Sequence, residues 1–87
     1  MNINGFANAA APGVYNCRSN GQEVDSNLLL PFVQQFFSSV QPQRQAVMAN
    51  ELTARINNTI FRFDSREAIA SKIATAMHQI YARFGAG

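Results

Sequence analysis

The chain has 87 residues, enough for one domain with a thin core, because a domain of this size buries only about two-thirds of the surface its unfolded chain exposes. Apolar residues make up an ordinary 47%, but charged residues reach only 14%, well below the usual quarter or so, with Asn, Gln, Ser and Thr filling the gap. A net charge of +2 is less than a dedicated binder of phosphate backbones usually shows, and the single cysteine excludes an internal disulfide.

Residues 1–13 are rich in Asn, Ala and Gly and include a Pro, a composition with little to bury and much entropy to lose on ordering. They are predicted to form a flexible arm, which Ile3 and Phe6 could anchor on a neighbouring surface. In residues 14–24, Asn20-Gly21 suits a tight hairpin turn that needs positive φ. That turn would set Arg18 opposite Glu23 and Cys17 opposite Val24. An isolated hairpin is marginal in water, so a loop leading into a helix at Asp25 or Ser26 is the preferred reading.

The first helix carries Leu28, Leu29, Leu30, Phe32, Val33, Phe36, Phe37 and Val40. Pro31 requires either that the helix starts at Asp25 and holds the proline near its first full turn, or that it starts at Pro31. Phe36 and Phe37 point about 100° apart, which two other helices would struggle to cover. Pro42 suits the first position of a second helix, predicted from Pro42 to Thr59 or a little beyond. Met48, Leu52, Ile56 and Ile60 form its main seam beside Ala49, while Val47, Ala54 and Phe61 repeat every seven residues as a thinner one. Fraying is expected at Asn57-Asn58, with Phe63 covering the start of the next helix. That third helix is the clearest element: Asp64 and Glu67 form a capping box, Ile69, Ile73, Met77, Ile80 and Phe84 form a stripe, and Gly85 is the stop. Its opposite face, Ala70, Ala74, His78 and Ala82, is small rather than charged and invites a further helix. The predicted fold is therefore mainly α, a small three-helix domain over residues 14–87 behind the arm, with the 14–24 hairpin as a variant.

Arg44, Glu51, Arg55 and Arg62 fall along nearly one line of the second helix and, with Lys72, could meet phosphate or an acidic partner. A solvated face is the simpler reading, because Glu51 and Arg55 lie four apart in the stabilising order. His78 could act as an acid or base, but no carboxylate or nucleophile is placed beside it by sequence, so a surface or interface role is expected. Ser65, Ser71 and Cys17 sit in no nucleophile signature, and the dispersed glycines form no phosphate loop. No enzyme activity, cofactor, metal or small-molecule substrate is expected. Cys17 reads as a small half-buried thiol in a reducing compartment.

The longest apolar run, Leu28 to Val33, is short and broken by proline, so no membrane span is expected, and the N-terminus lacks a secretory pattern. The expectation is a cytoplasmic, non-enzymatic interaction module that self-associates or joins a larger assembly as a subunit or inhibitor. Its predicted contact surface is Phe36, Phe37, Val47 and Phe61, with Ala70, Ala74, His78 and Ala82. The alternative is a small nucleic-acid-binding regulator using Arg44, Arg55, Arg62 and Lys72.

Overall fold

A computed structural model of the chain describes residues 2–84. The protein is mainly α, and among the described residues it has four helices where the sequence pattern predicts three: α1 (Ile3–Ser19), α2 (Ser26–Phe36), α3 (Pro42–Thr59) and α4 (Arg66–Phe84). Each packs on two neighbours in a ring, α1 and α3 both lying between α2 and α4, and the diagonal pairs do not meet. Successive helices run antiparallel. Phe6 near the start of α1 touches Phe36 at the end of α2, and Lys72 near the start of α4 reaches the Thr59 carbonyl at the end of α3.

The additional helix is the predicted arm. Residues 3–13 lie within α1, where Ile3, Phe6, Ala7, Ala10, Ala11 and Val14 are buried. Composition alone misread this segment, for two physical reasons. Alanine is the best helix former, and the sparse large residues Ile3, Phe6 and Val14 combine with small ones into a continuous helical stripe. Asn2 caps the helix by accepting the Gly5 N–H at 2.7 Å. A Cβ at Gly5 would come within 2.5 Å of the Asn2 amide, so glycine permits that close approach. Pro12 removes the bond to the Asn8 carbonyl, but both residues face solvent, where water can take its place.

Asn20-Gly21 ends α1 instead of turning a hairpin, and no strand occurs among the described residues. Gly21 has φ +73°, the Gly21 N–H donates to the Arg18 carbonyl at 3.0 Å, and the Gln22 N–H donates to Cys17 at 2.9 Å. Those two bonds are the Schellman pattern that closes a helix through a left-handed residue. Arg18 consequently donates to the carbonyls of Gln22 and Ile60 at 2.8 and 2.9 Å rather than facing Glu23. The loop then buries Val24, whose N–H and C=O both bond the Asn57 side-chain amide, at 2.8 and 3.0 Å. That pair explains why α3 holds through Asn57-Asn58, where fraying was expected.

Asp25 caps α2 by accepting the Asn27 N–H, and Pro31 is carried inside the helix on its exposed side. In α3 the predicted seam of Met48, Leu52, Ile56 and Ile60 with Ala49 is buried in the core. Gln45 is the buried polar residue among those described, and its amide donates to the Phe37 carbonyl at 3.0 Å, satisfying a group freed where α2 ends. The cap of α4 lies one residue later than predicted: Ser65 Oγ accepts the Ala68 N–H at 3.1 Å. Asp64 is turned back toward Phe61 instead. Ile69, Ile73, Met77 and Ile80 are buried as the stripe requires, Phe84 packs partly against the core, and the predicted stop at Gly85 lies outside the described residues.

Candidate functional site

Between α3 and α4 the chain runs Ile60-Phe61-Arg62-Phe63-Asp64-Ser65. Ile60 is fully buried in extended conformation and fixes the start of the turn. The Phe61 N–H then donates to Asp64 Oδ2 at 2.8 Å, and the Asp64 N–H donates to the Phe61 carbonyl at 3.1 Å. Lys72 Nζ joins the same carboxylate at 2.9 Å and the Thr59 carbonyl at 2.7 Å, tying the turn to α3 and α4 together. The Phe61 N–H first, and then Lys72, hold the Asp64 carboxyl below the usual carboxylate range.

This bracing holds two phenylalanine rings in water. Phe61 is 45% exposed and Phe63 is 83% exposed, and the rings stack with centroids 6.1 Å apart and planes 20° apart. Lys72 Nζ stands 5.6 Å from the Phe61 ring centre. Phe63 was expected to cover the start of α4, and it does not. With about 200 Å² per phenylalanine, those exposures leave roughly 250 Å² of ring uncovered, which would release about 6 kcal/mol on burial. Association costs about 4–15 kcal/mol before any gain appears, so the rings can anchor a complex but need a polar rim to complete it.

The other predicted contact residues are placed differently from one another. Phe37 is buried, with Phe6 at 5.4 Å edge-on and Tyr81 at 5.6 Å, and Phe36 is half-buried against Phe6 at 6.1 Å. Ala70 and Ala74 are half-buried on the core, and Ala70 lies beside Ala11 and Pro12 of α1. The helix that this small-residue face invites is thus the chain's own α1. His78 and Ala82 remain exposed, His78 beside Asn2, Ile3, Asn4 and Tyr81. Val47 is also exposed, on the outer side of α3 with Ala54, and does not share a seam with Phe61, which lies beyond the helix end.

The basic line faces α4. Arg44 donates to the Phe84 carbonyl at 3.0 Å, Arg55 bonds the Gln79 side chain, and Glu51 pairs with Arg83 rather than with Arg55. Arg62 stands in the turn between the two exposed rings in sequence, without an ion pair among the described residues. Arg66 lies over the Tyr15 ring at 5.0 Å. Cys17 is free and half-buried. Among the described residues no cluster of three or more His, Cys, Asp or Glu could hold a metal ion, and no helix is long and apolar enough to cross a membrane.

Phe63 is the residue that sequence reasoning missed. The available signal was Phe61-Arg62-Phe63 placed after a core position and before a helix cap, where a turn cannot send two rings inward beside Ile60. No protein-family model, curated protein or solved structure matches the chain.

Proposed function

We propose that the protein is a non-enzymatic interaction module whose Phe61–Phe63 turn docks into an apolar groove on another protein. The observation carrying this reading is Phe63 at 83% exposure, stacked on Phe61 in a turn braced by Asp64 and Lys72. Aromatic side chains have only two rotatable bonds and lose little freedom on binding, which is the usual character of an interface anchor. Lys72 beside the Phe61 ring, with Arg62 in the same turn, favours a groove rimmed by carboxylates. The low overall charge, 14% of residues, fits a protein made to associate. The helix faces contribute less, since Phe37 is buried, Ala70 and Ala74 are half-buried on the core and α1 packs beside Ala70.

Affinity capture from the encoding organism, using the full chain and its Phe63→Ser and Val47→Ser variants, tests the reading. A stoichiometric partner should be held by the parent and by Val47→Ser and lost by Phe63→Ser. Retention by Phe63→Ser contradicts it. A second reading draws on the same rings: two exposed aromatics interleaved with Arg62 beside Lys72 could stack single-stranded bases. That binding would fall steeply with salt, and absence of any mobility shift at low salt ends it.

A further inference from the structure

Beside the turn, α3 and α4 leave an open cleft of about 280 Å³, room for several waters at about 30 Å³ each. Ala76 lines it as an almost buried residue, with Arg55 and Thr59 from α3 and Ser71, Lys72, Thr75 and Gln79 from α4. The spacing explains the arrangement. Ser71, Thr75 and Gln79 fall four apart on one row of α4, and Arg55 and Thr59 fall four apart on the facing row of α3.

We infer that this cleft binds a phosphomonoester dianion. Three features of its donors support that ligand. Arg55 has no carboxylate partner among the described residues; one guanidinium N–H bonds the neutral Gln79 oxygen, and Nε and Nη2 make no bond there. Glu51, one turn before Arg55, is engaged by Arg83, and the Asp64 carboxylate balances Lys72, so the guanidinium charge is uncompensated locally. The hydroxyls of Ser71 and Thr75 also make no bond to another described residue. Those of Thr53 and Thr59 do, turning back to helix carbonyls at 2.7 Å. A planar carboxylate offers two oxygens, whereas a phosphomonoester offers three with nearly two charges, matching a guanidinium edge and two hydroxyls on facing walls. This inference stands on the cleft alone and does not depend on how Phe61 and Phe63 are used.

The test is a titration of the isotopically labelled full chain with inorganic phosphate, O-phosphoserine, dimethyl phosphate and acetate, at constant ionic strength and near neutral pH. Saturable shifts at Ser71, Thr75, Gln79 and the Arg55 side chain are expected with phosphate or phosphoserine, with a Kd of about 1 mM. Tighter binding of phosphoserine than of phosphate would identify a phosphorylated side chain as the source, and the reverse order the free ion. Arg55→Gln should weaken binding by about tenfold. The double variant Ser71→Ala/Thr75→Ala, which keeps every charge, should weaken it several-fold while melting as the parent does. Equal response to acetate or dimethyl phosphate overturns the proposal. So does an unchanged affinity in the double variant, which would reduce the effect to diffuse charge attraction, or no saturable shift at all.

Discussion

Asp64 illustrates how one side chain can set up a surface without belonging to it. Its carboxylate receives the Phe61 N–H at 2.8 Å and Lys72 at 2.9 Å, and this keeps the two rings on the outside of the turn. Because both partners favour the charged form, its folded pKa lies below the ordinary 3.8. The stabilisation is therefore fully present above the unfolded value and is lost as pH falls through the lower folded one. Asp64→Asn is expected to lower stability by about 1 kcal/mol near neutral pH in urea unfolding, and the gap should close once the parent's carboxylate is protonated. At Gly21, φ +73° makes any side chain costly, so Gly21→Ala should destabilise by about 1–2 kcal/mol, read by the same unfolding curves.

At the level of elements, α1 shows where sequence reading succeeds and where it stops. α3 and α4 were legible because Met48, Leu52, Ile56 and Ile60, and Ile69, Ile73, Met77 and Ile80, repeat at helical spacing with large side chains that can only be core. α1 was not, because half of its buried stripe is alanine and its worth depends on α4 offering Ala70 close by. Alanine rows on two helices mean little separately and fit together once paired. The same holds at the turn. Asp64 resembles a cap by spacing, and only the folded chain reveals Ser65 in that role with Asp64 turned toward Phe61. Phe6 is fully buried against Phe36 and Phe37, so Phe6→Ala should cost about 3–5 kcal/mol in chemical unfolding, whereas a residue of a loose arm would cost almost nothing. Val47→Ser, on the outer face of α3, should change stability by less than about 1 kcal/mol.

Taken as a whole molecule, the ring of four helices changes how much apolar surface is left over. A three-helix body would have had to leave Phe36, Phe37 and the alanine row for another molecule; α1 covers most of them. What remains is smaller and localised, at one end of the ring where Phe61 and Phe63 project beside Lys72. That end also collects Arg18, Arg62 and Arg66, none of which has a carboxylate partner among the described residues. The candidate site was thus half legible: Phe61, Arg62 and Lys72 were singled out by sequence, while Phe63 became visible only when its ring proved to have no place inside.

Docking of the partner on this turn can be read directly from backbone amide exchange of the captured complex. Added protection is expected over residues 60–64 and around Lys72, with little change on the outer face of α3. Protection confined to Val47 and Ala54, with residues 60–64 exchanging as in the free protein, would contradict it.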